Sequence, residues 1–397
     1  MAARGNNLTQ RRREAEAVRT VPLGDVVKID TSVSFPKASK IWLLNLDMIE
    51  QQTGRVIDYV FVEPDAIGGS TVGFDKECVL YSKLRPNLNK VVLPDRCGVA
   101  TSEILPLRCS SDSVSREYIC WYLRSPDFVL YAINRTAGAK MPRLGTKDLL
   151  KAIVPLPSLS EQKRIAATLD RICELKKNAE TRLAKLDLLV KSRFVEMFGD
   201  FANDPRISLG DACEFVRNGA NIRQDKSSQG IPITRIETLS AGKFNPNRLG
   251  YANIFNVNNF QHHIMKTGDL LISHINSAEF VGRTVMYRGE VHGPLIHGMN
   301  LLRARLNYPS LTPLFVEMYL NTSVARRYFR SVTKKAVNQA SISSTDIKRI
   351  ELPLPPLALQ REFAAFVEKV EKLKECAKRS AEQMDVLYRS KLQEYFG

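Results

Sequence analysis

The sequence lacks the features that mark several large protein classes. Its seven cysteines (Cys78, Cys97, Cys109, Cys120, Cys173, Cys213 and Cys376) include no Cys-x-x-Cys pair. Scattered thiols in an odd number suit a reducing cytosol and argue against a disulfide framework or a zinc ribbon. No run of about 18 apolar residues is present, so no membrane-spanning helix is expected. The segment Met1 to Thr20 is polar and basic, with Arg11-Arg12-Arg13 and no apolar stretch, so a secretory signal is not expected. Glycine (21) and proline (19) are too few for a collagen-like or linker-dominated chain.

Catalytic signatures are missing as well. There is no Gly-x-x-x-x-Gly-Lys-Ser/Thr phosphate loop and no glycine-rich turn after a clear strand. Gly68-Gly69-Ser70 is a lone turn signal. The Asn/Asp-Pro-Pro-aromatic tetrad with which amino-methyltransferases hold a flipped base is absent, and Pro355-Pro356-Leu357 does not supply it. Among the five histidines, His292 and His297 stand five apart with no Cys or Glu to complete a metal set. Glu174-Leu175-Lys176 resembles a nuclease fragment, yet it falls inside a long helical pattern with no acidic partner. No catalytic constellation and no metal site emerge.

What the chain does have is positive charge and an internal repeat. Of 397 residues, 58 are Lys or Arg and 42 Asp or Glu, a net charge of +16. Residues 200–355 carry about +7 of this, against about +2 for residues 21–157. Separated positive charge on a folded unit suits a phosphate-tracking surface. The chain also closes twice. Pro155-Leu156-Pro157-Ser158-Leu159 with Gln162 matches Pro353-Leu354-Pro355-Pro356-Leu357 with Gln360 at an offset of 198 residues. The offset holds without a gap to Gly199 and Gly397, with about 16 identities over roughly 45 positions, Asp187/Asp385 and Ser192/Ser390 among them. Farther upstream Leu23-Gly24-Asp25 answers to Leu209-Gly210-Asp211. A period this long denotes a duplicated domain pair, not a solenoid.

Each copy ends in a long amphipathic helix. Ser158-Leu159-Ser160-Glu161 reads as a capping box. The apolar positions then alternate threes and fours. The expected seam is Ile165, Leu169, Ile172, Leu183, Leu186 and Val190 in the first copy, and Phe363, Val367, Val370, Leu373, Met384 and Tyr388 in the second. Helices of about 40 residues, roughly 60 Å long, cannot bury such stripes alone, and each copy is the natural partner of the other. The Pro-Leu-Pro segments mark the joints between globule and helix. The expected division is a basic arm (1–20), a globular unit (21–157), a helix (158–199), a second globular unit (200–355) and a second helix (356–397). The globular units read as mixed and strand-rich. Strand patterns occur at Cys78–Ser82, Lys90–Leu93, Ile231–Ile236, Gly268–Ser273 and Val281–Tyr287, with one helix expected near Glu117–Tyr131 and another over Thr312–Arg330.

The joints Pro155–Gln162 and Pro353–Gln360, with Gly138-Ala139-Lys140-Met141-Pro142-Arg143-Leu144 and Asn338-Gln339-Ala340-Ser341-Ile342-Ser343 ahead of them, resemble the specificity subunits of Type I restriction–modification systems. Gly268–Ser273 fits that family's recognition domains, and Leu359 departs from the glutamate usual before the glutamine. The resemblance implies an α+β fold in which two mixed α/β target-recognition domains alternate with two long helices. These would pair as an antiparallel coiled coil with pseudo-two-fold symmetry. It implies a non-catalytic, cytoplasmic subunit that reads a split, asymmetric site in double-stranded DNA, the helices setting the gap. Its partners would be two methyltransferase (modification) subunits and restriction/translocase subunits. S-adenosylmethionine, ATP and Mg²⁺ would be bound by those partners and none by this chain. Two other readings stay open: a coiled-coil DNA-binding adaptor, and a single-chain DNA-modifying enzyme with an unrecognised site.

For DNA contacts, polar residues in or beside loops are the candidates, because Arg, Asn and Gln can pair bidentately with purine edges. In the first unit these are Lys83, Arg85, Asn87, Lys90, Lys140 and Arg143. In the second they are Arg223, Gln224, Lys226, Arg235, His274, Asn276, Arg283, Lys334, Lys335, Asn338 and Gln339. Arg11-Arg12-Arg13 reads as a frayed basic terminus before a minor-groove arm.

Overall fold

A computed structural model describes residues 18–397 apart from 33–39, 139, 200, 202–203, 225–228, 241, 300 and 337–338. The chain divides into two units: residues 1–181 with 377–397, and residues 182–376. Two helices, Leu159–Phe198 and Leu357–Phe396, each 40 residues long, contribute one part to each unit. No helix among the described residues is long and apolar enough to cross a membrane.

The frame of each unit is the same. In the first, Thr20–Pro22 pairs antiparallel with Ile153–Pro155 at the proline joint. A four-stranded antiparallel sheet follows in the order Val27–Ile29, Ile104–Cys109, Cys78–Ser82, Val91–Val92. In the second, Arg206–Ser208 pairs with Glu351–Pro353. Its sheet runs Cys213–Asn218, Leu302–Leu306, Leu270–Ile272, Thr284–Met286, the same topology. Even a charge contact repeats. Arg108 on the second strand of the first sheet binds Asp75 and Asp30, and Arg305 at the same place in the second grips Asp269 at 2.7 and 2.8 Å.

The helices expected over Glu117–Tyr131 and Thr312–Arg330 are each broken in two. Arg116–Arg124 ends at Ser125, whose hydroxyl caps Pro126–Ile133 by accepting from Phe128 N–H. Pro313–Leu320 gives way to Ser323–Val332, where Thr322 caps by accepting from Ala325 N–H. A hydroxyl that satisfies an orphan N–H favours a fresh helix start over continuation. The expected strand at Ile231–Ile236 is reduced to bridges from Ile233 to Gly250 and Ile296, and Val281–Tyr287 keeps a strand at Thr284–Met286 after a turn at Gly282 (φ +80°).

The joints are fastened by the two glutamines. Gln162 is 1% exposed: its carbonyl accepts from Ser115 N–H at 2.9 Å, and its amide donates to the carbonyls of Ser113 (3.2 Å) and Pro157 (2.9 Å). Gln360, also 1% exposed, accepts from the N–H (2.9 Å) and hydroxyl (3.1 Å) of Thr312 and donates to Ser310 (2.8 Å) and Pro355 (2.9 Å). Each glutamine locks its long helix to the residue that caps a sheet-packing helix. The expected capping box is half formed. Glu161 N–H donates to the Ser158 hydroxyl at 3.4 Å, but the Glu161 carboxylate turns to Arg164.

Within each unit the helix segments run antiparallel. In the first, Ile165 and Leu169 share a core with Leu392 and Phe396, Tyr388 packs against it, and Ile172 is buried as well. In the second, Val190, Phe194 and Phe198 share a core with Phe363, Val367 and Val370, and Leu186 packs against it. Leu183 and Met384 are half-buried. Leu373 does not belong to the seam: it is 57% exposed. The three–four alternation from Phe363 through Val367 and Val370 lands on Lys374, whose side chain is 13% exposed and meets Asp187 at 2.6 Å. Counting apolar letters selects Leu373, whereas the helical phase selects the lysine. The repeat makes this reciprocal. Lys176, 198 residues earlier, meets Asp385 at 2.7 Å. Hydrogen bonds from Lys176 and from Arg389 hold the Asp385 carboxyl below its ordinary pKa. Burial alone would raise Asp187, and hydrogen bonds from Lys243 and Lys374 more than reverse it.

Candidate nucleic-acid interface

The loop that follows the third strand in each sheet, and the hairpin ahead of each joint, carry most of the sequence-selected residues. In the first unit, Lys83 and Arg85 follow Cys78–Ser82, and their backbone meets the hairpin Thr136–Ala137/Arg143–Leu144. Leu144 N–H donates to Lys83 O (2.9 Å), and Arg85 N–H to Pro142 O (2.8 Å). Arg85 takes a left-handed conformation (φ +50°) at the start of the turn, which leaves its side chain and that of Asn87 exposed. Lys140 is exposed nearby. Five of the six candidates of this unit thus gather on one edge.

Their freedom differs. Arg143 is held by both oxygens of Glu103 at 2.8–3.1 Å, and these hydrogen bonds keep Glu103 below its ordinary pKa. Lys90 turns inward, donating to Leu46 O, and burial lowers its pKa. Of the six, Lys90 is the one directed away from the edge. The sequence gives no sign of this, because a lysine at the start of a short strand pattern reads the same on either face.

The second unit places His274 and Asn276 in the corresponding loop. Strand Ile275–Asn276 joins Gln339–Ser341 and Lys334–Ala336 in a three-stranded sheet. Lys334 is exposed there. His274 is 8% exposed and burial lowers its pKa, so it is a neutral packing residue near pH 7. Asn276 is occupied locally by Ser273 and by Ser277 N–H. Arg283 lies 4.1 Å over the Phe280 ring and 3.7 Å from Glu279. Lys226, Asn338 and the Arg11–Arg13 arm lie outside the described residues, as do the side chains of Lys335 and Gln339.

A second cluster in this unit stands apart from that sheet. Gln224 and Arg235 line a recess of about 280 Å³ with Asn221, Ile222, Glu237 and Met299, and Arg223 is an exposed neighbour in sequence. Sequence reading selected Gln224 and Arg235 but not Asn221, Glu237 or Met299, which come from three separate chain segments. In the first unit the reading also passed over Tyr59 (43% exposed), Phe61 (46%) and Arg96, whose guanidinium lies 5.0 and 5.8 Å from the two ring centres. Alternating exposed aromatics at 59 and 61 were the available signal.

Two unlike loop sets on one repeated frame, with basic and amide side chains at their edges, form an arrangement chemically suited to a polyanion. A family model described as the type I restriction modification DNA specificity domain matches residues 100–187 and 206–383. The chain belongs to the type I restriction–modification DNA specificity family. It is 24% identical over 380 residues to the EcoKI specificity subunit of Escherichia coli strain K12, covering 89% of this chain and 80% of that protein. A shorter match, 38% over 159 residues, links it to the putative type I restriction enzyme MjaX specificity subunit of Methanocaldococcus jannaschii. That match spans 40% of this chain and 37% of the relative. In fold it is similar to a chain from a type I restriction–modification system solved for its complex assembly and conformational transition (TM-score 0.60, 19% identity, 95% of this chain and 97% of that one). It is also similar to the S subunit from M. genitalium (TM-score 0.57, 13% identity, 96% of each chain). The role of a specificity subunit is DNA sequence choice, and the alternating domains and long helices of this chain are the family's architecture.

Proposed function

We propose that this chain reads a split, asymmetric DNA site and brings modification subunits to it, without performing chemistry itself. The observation that carries this reading is the pairing of a duplicated frame with unlike loops. Identical sheet orders and reciprocal glutamine and lysine–aspartate locks present different insertions, a four-stranded sheet in the first unit and bridged loops in the second. Unlike readers imply unlike half-sites. Exposed lysines and arginines on the loop edges supply phosphate contacts and register, and amide and guanidinium groups supply base choice.

The long helices support the partner assignment. Apolar residues stay exposed at repeat-related positions: Leu175, Val386 and Leu387 in the first unit, and Leu373, Leu188 and Leu189 in the second, with exposures of 37–69%. Matched apolar stripes, one per unit, suit two copies of one helical partner. In this reading the partners are two modification subunits that bind S-adenosylmethionine and methylate adenine. Restriction subunits with ATP and Mg²⁺ would join the same cytoplasmic assembly.

The test is reconstitution. The purified chain alone is expected to bind duplex DNA with an affinity that falls steeply with salt and to transfer no methyl group. Addition of cognate modification subunits is expected to give methylation at one bipartite sequence. Methyl transfer by the chain alone, or DNA affinity indifferent to salt, would overturn the reading.

A further inference from the structure

In the second unit the arginines are mostly engaged by the protein. Arg303 is fully buried and donates to the carbonyls of Ile264 and His262. Arg305 grips Asp269, Arg288 binds Glu317, and Arg326 donates to the carbonyls of Val281 and Glu279. Arg235 differs. Its guanidinium meets Glu237 at 3.5 Å, well outside the 2.7 Å of the Arg305–Asp269 pair. It opens on the recess it shares with Gln224 and Asn221.

Gln224 is unusual in a second way. Its side-chain oxygen is closed to water and has no hydrogen-bond donor among the described residues. One glycine makes the space for it. A β-carbon on Gly250 would lie 2.0 Å from Gln224 Oε1 and 2.9 Å from Arg235 Cδ, whereas Gly298 is dictated first by the Thr234 carbonyl, 2.2 Å from where its β-carbon would stand. The chain therefore gives up a side chain at Gly250 to seat an amide beside an arginine, and among the described residues the amide's acceptor is unsatisfied. Such an acceptor costs stability until a donor reaches it. Turning the amide toward the recess mouth sacrifices no hydrogen bond of that oxygen among the described residues.

We infer that this recess is where the second unit reads base edges, Gln224 taking an adenine and Arg235 a neighbouring guanine. The chemistry follows from the groups. Adenine presents an N6 donor and an N7 acceptor to the major groove, which one carboxamide satisfies together. Guanine presents O6 and N7, two acceptors that fit a guanidinium fork. This assignment rests on the DNA-reading role proposed above and names the residues that carry it out.

The experiment uses the full chain assembled with its modification subunits, at constant salt, on duplexes randomised across both half-sites. Gln224→Leu is expected to lower discrimination at a single position of one half-site by about 10-fold or more, and Arg235→Lys to do so at an adjacent position. Gln224→Glu, which keeps size and the acceptor but loses the amide donor, is expected to move the preference at that position from adenine toward cytosine, whose N4 amine donates. Melting temperatures near wild type and an unchanged first half-site accompany these outcomes. Uniform weakening on all sequences would make the recess a phosphate contact and overturn the inference, as would unchanged preferences in Gln224→Glu. A wild-type assembly with no bipartite preference would instead sink the DNA-reading role itself.

Discussion

The two units share a frame and diverge in what it holds. In the first, the segment between the frame strands builds its own four-stranded sheet (Val60–Val62, Ile41–Leu44, Gly98–Thr101, Thr71–Phe74) over Trp42, Leu44 and Phe74. In the second, the corresponding stretch is held by single bridges, short helical turns and buried polar groups, the charged Arg303 and Asp269 and the neutral His297 among them at 0–1% exposure. Backbone ladders stabilise one insertion and side-chain hydrogen bonds the other. Conserving the frame while changing the means of support lets a reading surface vary without disturbing the helices, which carry the same reciprocal contacts in both units.

The comparison can be broken most forcefully at the helix roots. Phe194 contacts Phe198, Phe315 and Phe363 at centroid distances of 5.0–5.7 Å, whereas the repeat places Leu392 at its counterpart position. Phe194→Ala is expected to cost about 3–5 kcal/mol, by denaturant melts, and to loosen the second unit. Hydrogen exchange that loosened the first unit equally would contradict the separate cores. Next come the glutamine locks. Gln162→Ala and Gln360→Ala each strand several buried partners and should each cost about 2–4 kcal/mol. Similar values would confirm the frames as equivalents, and a large disparity would break the parallel.

Acid should separate the units. All five histidines lie in the second. Burial first, then the positive charge of Arg303, holds His297 down at about 3, with His263 and Arg217 adding to the effect and a hydrogen bond to Leu301 opposing it. A group protonated more readily in the unfolded chain withdraws stability as pH falls below its unfolded value near 6.5, until its folded pKa is reached. The second unit is therefore expected to lose on the order of 2 kcal/mol between pH 7 and pH 5 relative to the first. Glu317, raised chiefly by burial, works against this loss because its folded form takes up a proton more easily. A His297→Gln variant should flatten the difference in pH-dependent hydrogen exchange. The smallest effect concerns the seam charges. Lys374 at 13% exposure should couple to Asp187 by about 1 kcal/mol in a double-mutant cycle, and the more exposed Lys176 (37%) to Asp385 by less.

The duplication, the joints and both long helices were legible because they rest on ungapped identity and helical phase, which survive in a single sequence. The seam residue Lys374 was not, because a lysine shielded by an aspartate on the facing helix looks like surface until that helix is in place. The breaks at Ser125 and Thr322 were hidden by apolar spacing that continues across them, although both residue types cap helices. Gln162 and Gln360 stood out as repeated letters, but their function depends on carbonyls some 50 residues earlier in the chain. The reading surface was least legible. Lys90 and Lys83 are both lysines in one loop, and only tertiary packing sends one inward. The walls of the Gln224–Arg235 recess come from segments separated by more than 60 residues.

The most direct measurement is a map of methylated adenines on a randomised duplex library treated with the chain assembled with its modification subunits. Two different half-sequences separated by a constant gap are predicted. A single contiguous site, or two halves that are copies of one another, would contradict the account of unlike readers on one repeated frame.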